Sequence, residues 1–167
     1  TPAADTDMRH CPQGIHSFLR AYYHHKSADW PGNRPFELAS WAPAELAKMP
    51  TYYVMHRRAD MAATVAEHMP SAAAVAACGW LPEDQLRVYS SEFARTGFQG
   101  GLQWYRCGTL GLQVPEQQMF AGRAIDVPAT FIAGASDWGV YQKPGELQRM
   151  SVPLCRRFEG ITLIDGA

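Results

Sequence analysis

Charge is scarce in this chain of 167 residues. Asp, Glu, Lys and Arg make up 19 % of it and nearly cancel, leaving a formal net charge of −1, where globular domains usually carry about a quarter charged residues. No basic field is available to attract a phosphate backbone, so nucleic acid is not an expected partner. Long apolar runs are also missing. The most apolar stretch, SAAAVAACGWL from Ser71 to Leu81, has about half the length of a membrane-spanning helix, so no membrane span is expected. The N-terminal TPAADTDMRH is polar and leads into no apolar signal core. Cysteine is sparse: Cys11, Cys78, Cys107 and Cys155 lie far apart, with no CxxC. They read as reduced, partly buried thiols in a cytoplasmic protein.

Several catalytic signatures are absent as well. There is no HExxH, and none of His10, His16, His24, His25, His56 and His68 forms a zinc-type pair followed by a third ligand. Structural or surface roles are expected for them. There is no GxSxG elbow, no GxGxxG and no GxxxxGK[ST]. The expectation is a protein with neither a metal nor a cofactor.

What is present falls into two styles. Residues 1–12 read as an extended lead-in. From Gly14 to about Lys26, the apolar side chains Ile15, Phe18, Leu19 and Tyr22 recur at helical spacing. WPGNRP from Trp30 to Pro35 breaks that pattern. Ser40 caps at best a short helix ending at Pro50, and Asp60 opens another that Pro70 ends. Residues 71–81 fit either a tightly packed helix or an irregular linker. Pro82 to about Thr96 is the clearest helix, with Glu83 and Asp84 in its first turn. Leu86, Tyr89, Phe93 and Ala94 form its expected buried stripe, and Gly97 sits where a left-handed C-cap belongs.

After about residue 124 the pattern changes. An apolar strand over Ala129–Ala133 is followed by a glycine-containing turn, a short helical stretch after Pro144, and a second apolar strand over Ile161–Ile164. Two near-continuous apolar strands joined through a helix indicate a parallel βαβ unit. The class is therefore α/β, with a helical region over 1–120 and a βαβ region over 121–167. Two parallel strands need cover on their faces and edges. The expectation is that the remainder of the sheet comes from another chain or from further residues.

Two residues stand out for chemistry. Asp137 follows the carboxyl end of the first strand, where open parallel sheets place their ligands. There it either orients a histidine or satisfies its own turn. Tyr105 lies in GFQGGLQWYRCG, from Gly97 to Gly108. Its phenol can donate to an oxygen gaining negative charge, or it can simply pack. Gly97, Gly100 and Gly101 would bend the backbone ahead of it, and Trp104 would supply a flat wall.

PEDQLRVYSSEFARTGFQGGLQWYR resembles the cap region of α/β-hydrolase-fold epoxide hydrolases. That family pattern is an acidic helix start, then tyrosine and phenylalanine, then Gly-Phe-x-Gly-x-Leu-Asn-Trp-Tyr-Arg. Gln103 stands here in place of the usual asparagine. DVPATFIAGASDWGV resembles the family's penultimate core strand and acid loop, and HSFLRAYYHHK its early cap helix. The similar parts cover about half of the chain.

The resemblance implies a partial α/β-hydrolase fold, with most of a cap over 1–120 and an incomplete core end over 121–167. It implies Asp137 as the charge-relay acid and Tyr105 as the phenol that polarises an epoxide oxygen. Trp104 and Trp138 would lie against the substrate, and Gly97 and Gly100 would set the turn that aims the Trp-Tyr pair. The nucleophilic aspartate and the relay histidine would lie beyond residues 1–167, and the chain alone would be inactive. The expected partners are an apolar small molecule, water and the remainder of the core. A carbon–halogen hydrolase or a serine esterase of the same fold stays open, as does a ligand-binding protein that has lost the chemistry.

Overall fold

The computed structural model describes residues 3–112 and 114–167. In chain order the elements are α1 (Ala4–Arg9), α2 (Gly14–Lys26), α3 (Pro43–Leu46), α4 (Met61–Ala66), α5 (Ala72–Ala77), α6 (Glu83–Thr96) and α7 (Gln99–Thr109). They are followed by α8 (Val114–Gln118), β1 (Ile125–Gly134), α9 (Trp138–Tyr141), α10 (Glu146–Arg149), a π-helical turn over Met150–Leu154, and β2 (Cys155–Ile164). The elements form two compact units: Thr1–Lys26 with Thr51–Leu112, and Ser27–Pro50 with Gln113–Ala167. Residues 27–50 fall in the same compact unit as the strands.

In the helical unit the apolar periodicity of α2 is realised. Phe18, Leu19 and Ala21 are buried against Ala62 and Val65 of α4 and Leu86 of α6. Each large side chain so buried contributes roughly 1.5–3 kcal/mol. The Asp60 carboxylate caps α4 by accepting from Ala63 N–H at 2.7 Å. Ser71 caps α5 through Ala74 N–H, which settles residues 72–77 as helix. Residues 4–9, expected to be extended, are instead helical; Met8 is buried in the same core, so packing overrides the small polar composition. The α6 stripe also differs from the expectation. Leu86 and Ser90 are buried and Phe93 is half-buried, whereas Tyr89 and Ala94 are exposed.

Ser90 is tolerated inside because it belongs to a polar clamp between α2 and α6. Its hydroxyl lies 3.1 Å from His16 Nδ1, and His16 Nε2 lies 2.8 Å from Glu83. The Glu83 carboxylate also accepts from buried Arg20 at 2.6 Å. These bonds hold the Glu83 carboxyl below the usual carboxylate range, the His16 hydrogen bond contributing most. His25, on the last turn of α2, is completely buried. Its ring stacks on that of His68 with centroids 3.7 Å apart and stands edge-on to Tyr52.

In the second unit β1 and β2 pair in parallel, from Ile125 opposite Cys155 to Gly134 opposite Ile164. Both strands are longer than their apolar runs and take in polar residues; Asp126 on β1 forms an exposed ion pair with Arg156 on β2 at 3.1 Å. The register shifts between Ile125 and Pro128, next to a proline that has no N–H for the ladder. Residues 27–50 attach to this sheet at its carboxyl end. Asn33 Nδ2 donates to Ser136 O, and Leu38 N–H donates to Tyr141 O. Val127, Ile132, Ile161 and Ile164 stay exposed on the strands.

Candidate active-site lid and acid loop

The Gly97–Gly108 stretch is a helix, α7, reached by a sharp reversal at its first two residues. Gly97 N–H donates to Phe93 O at 2.8 Å and closes α6. Gly97 has φ +71° and ψ −174°, so the cap is extended in ψ and is not the left-handed helical form expected. A Cβ at this position would stand 2.8 Å from Asp5 Oδ1 and 3.1 Å from Arg9 Cδ, so only glycine fits. Phe98 caps α7 but brings no capping side chain of its own. Its N–H donates to Asp5 Oδ1 at 2.6 Å, which places a carboxylate at the positive end of the helix. Gly100 and Gly101, expected to take part in the bend, lie inside α7 and face open space. The reversal is complete before the chain reaches them.

α7 carries Trp104 and Tyr105, which are 82 % and 71 % exposed. Tyr105 borders a hollow of about 410 Å³ within the helical unit, whose walls include Phe18, Tyr22, Tyr52, Phe93 and Phe98. Phe93 and Phe98 stack with centroids 4.5 Å apart, and Phe18 stands edge-on to Phe98. The volume falls in the range of small-molecule sites, about 300–1,000 Å³. Four further phenols, Tyr22, Tyr23, Tyr52 and Tyr53, line the same hollow. Their YY doublets, one in a helix and one in a loop, were the available signal. Asp5 was not singled out at all, because a lone acid in a polar lead-in carries no pattern.

Asp137 lies at the carboxyl end of β1 and caps α9, accepting from Gly139 N–H at 2.7 Å. Its side chain is exposed. The loop that holds it is bound to the segment leaving β2. Ala135 N–H donates to Ile164 O at 2.9 Å and Ser136 N–H to Ala167 O at 2.8 Å. A Cβ on Gly134 would collide with the Ala167 carbonyl, so glycine permits this close approach. The Tyr141 hydroxyl donates to Ala135 O and braces the loop from the other side. Trp138 is only 2 % exposed and packs edge-on to Phe36 with centroids 5.2 Å apart. Its indole packs within this unit. Its Nε1 has no hydrogen-bond partner among the described residues.

Among the described residues no group of three or more His, Cys, Asp or Glu side chains is placed to hold a metal ion. No described helix is long and apolar enough to cross a membrane. The chemistry on offer is thus a phenol beside an apolar hollow and a carboxylate at a parallel strand end.

No protein-family profile matches the chain. It is 43 % identical over 58 residues to epoxide hydrolase A of Mycobacterium tuberculosis, a match covering 35 % of this chain and 17 % of that protein. It is 33 % identical over 95 residues to epoxide hydrolase 2 of Siraitia grosvenorii, covering 53 % of this chain and 28 % of that protein. Among solved structures, a laboratory-evolved variant of potato epoxide hydrolase superposes with a TM-score of 0.61 at 22 % identity, over all of this chain and 43 % of that one. A mutant of potato epoxide hydrolase superposes with a TM-score of 0.60 at 23 % identity, over 44 % of its length. The chain therefore spans less than half the length of these relatives. In part of its sequence it is similar to the epoxide hydrolases, and it carries a partial α/β-hydrolase fold, a helical cap segment and two parallel strands.

Proposed function

We propose that the chain is the cap and core end of an enzyme that opens epoxides through a covalent ester. In this reaction an aspartate carboxylate attacks an epoxide carbon, the C–O bond breaks, and Tyr105 donates a hydrogen bond or proton to the departing ring oxygen. A histidine held by Asp137 then takes a proton from water, which cleaves the ester and returns the aspartate. The nucleophile and the histidine lie outside residues 1–167, and the rest of the core covers the exposed strand faces.

One observation carries this reading. Asp137 sits at the carboxyl ends of two paired strands, in a loop hydrogen-bonded to the backbone that leaves β2. A histidine following that backbone would come within reach of the Asp137 carboxylate. Exposed Tyr105, bordering an apolar hollow, supports the phenol's role and an apolar epoxide with water as substrates. The names of the relatives favour epoxide over the other electrophiles that this fold accepts.

The test is turnover of an aryl epoxide, an alkyl halide and an aryl ester by the full-length enzyme. Diol formation from the epoxide, lost in Asp137→Ala, is the expected result. Halide release or ester cleavage in its place would assign the carbon–halogen or serine-esterase reading. Binding without any turnover would assign the ligand-binding one.

A further inference from the structure

The segment WPGNRP, from Trp30 to Pro35, turns so that one buried amide meets the acid loop. Asn33 N–H donates to Trp30 O at 2.9 Å, and Arg34 N–H donates to Gly32 O at 3.0 Å. A Cβ on Gly32 would run into the Trp30 ring, so glycine lets the turn close against the indole. Asn33 is 5 % exposed. Its Nδ2 donates to two carbonyls, Ser27 O and Ser136 O, each at 3.1 Å. The second of these bonds spans 103 residues of chain and ends on the residue before Asp137.

The two residues ahead of Asp137 have every backbone hydrogen-bonding group engaged. Ala135 N–H and Ser136 N–H donate to Ile164 O and Ala167 O, at the end of β2 and beyond it. Ala135 O accepts from the Tyr141 hydroxyl at 3.0 Å, and Ser136 O accepts from Asn33. Backbone supplies two of these partners, which any sequence could provide; the other two are side chains and depend on the residue. Asp137 N–H then donates back to Gly134 O at 3.1 Å. Asp137 Oδ1 accepts from Gly139 N–H, so Oδ2 is the oxygen that a histidine would meet.

We propose that Asn33 and Tyr141 are positioning residues for Asp137. They clamp two consecutive carbonyls of the acid loop and thereby fix the direction in which the carboxylate is presented. The role of Asp137 rests on the hydrolase reading above; the clamp belongs to the loop and is measured without turnover.

A purely structural role for the two side chains is the rival, and the full-length enzyme with Asn33→Ala or Tyr141→Phe separates the two. Tyr141→Phe keeps the ring, so it serves even if Asn33→Ala fails to fold. Amide hydrogen exchange over Ala135–Asp137 should quicken roughly tenfold in each, the size of one lost neutral hydrogen bond, with β1 unchanged. In single-turnover kinetics with an aryl epoxide, ester hydrolysis should slow roughly tenfold while ester formation stays within about twofold. Added to Asp137→Asn, neither substitution should slow hydrolysis further, because both act through that carboxylate. A general loss of stability would instead quicken exchange throughout and survive in the Asp137→Asn background. Unchanged loop exchange, hydrolysis at the wild-type rate in either variant, equal slowing of both steps, or full slowing on top of Asp137→Asn would overturn the proposal. If the wild-type enzyme forms no ester, the hydrolase reading fails and the exchange result alone decides the clamp.

Discussion

Asp5 and Phe98 are joined by a 2.6 Å hydrogen bond, from the Phe98 backbone N–H to the Asp5 carboxylate, across 93 residues of chain. This bond fixes where α7 starts, and so where Tyr105 stands. Asp5→Ala is expected to cost about 1 kcal/mol, as for the loss of a capping carboxylate. Gly97→Ala should cost more, because it adds backbone strain at φ +71° and a clash with the Asp5 carboxylate. Urea unfolding of the 167-residue chain measures both. An unchanged midpoint for Gly97→Ala would mean that the reversal relaxes without help from glycine.

What could be read from the sequence follows from how local each cause is. The α2 and α6 helices were legible because apolar spacing and first-turn chemistry lie within the segment. The parallel pair was legible from two apolar runs, but its length was not: backbone pairing starts at Ile125 opposite Cys155 and takes in polar sequence that includes the exposed Asp126 and Arg156. The α6 stripe differs from the expectation at Tyr89 and Ala94: Ser90 is inside instead, its hydroxyl bonded to Arg87 O within the helix and meeting His16, 74 residues away. Trp138 shows the same limit: nothing in its own segment points to Phe36, which only the fold brings against its indole. Asp137 and Tyr105 were identifiable as candidates because strand-end position and the Gly-Phe-x-Gly…Trp-Tyr-Arg pattern are local.

Stability should fall in mild acid because of His25. Burial, then the neighbouring His68 and His24, lowers its folded-state pKa from 6.5 to about 4. Below pH 6.5 the unfolded chain takes up a proton that the folded chain refuses until about pH 4. The stability present above 6.5 is therefore lost as pH falls through that window, by at most about 1.4 kcal/mol per pH unit. His25→Gln should flatten this part of a melting-temperature profile. A wild-type profile level between pH 6.5 and 4 would contradict the assignment.

Glu83 contributes in a lower window. Its folded-state pKa is depressed by the hydrogen bonds from His16 and Arg20, so its contribution is present above the ordinary carboxylate range. It is lost as pH falls through the depressed value. Glu83→Gln leaves buried Arg20 without its counter-charge, and should lower the melting temperature at neutral pH by roughly 5 °C. Differential scanning fluorimetry checks this; wild-type melting would show that the clamp adds no net stability.

Tyr105→Phe keeps the ring and removes the donor. In the full-length enzyme, ester formation from an aryl epoxide should slow roughly a hundredfold, as for the loss of one oxyanion donor. Melting should be little changed, because the side chain is 71 % exposed. Single-turnover kinetics decide the matter: ester formation at the wild-type rate would remove Tyr105 from the chemistry.

The most direct measurement is denaturing intact-mass spectrometry of the full-length enzyme and its Asp137→Asn variant, quenched at intervals after mixing with an aryl epoxide. The expected result is an adduct of epoxide mass on both proteins, transient in the wild type and long-lived in Asp137→Asn, because misorienting the histidine impairs ester hydrolysis most. An adduct that decays equally fast in both would contradict the role given to Asp137, and turnover with no adduct on either would contradict the covalent mechanism.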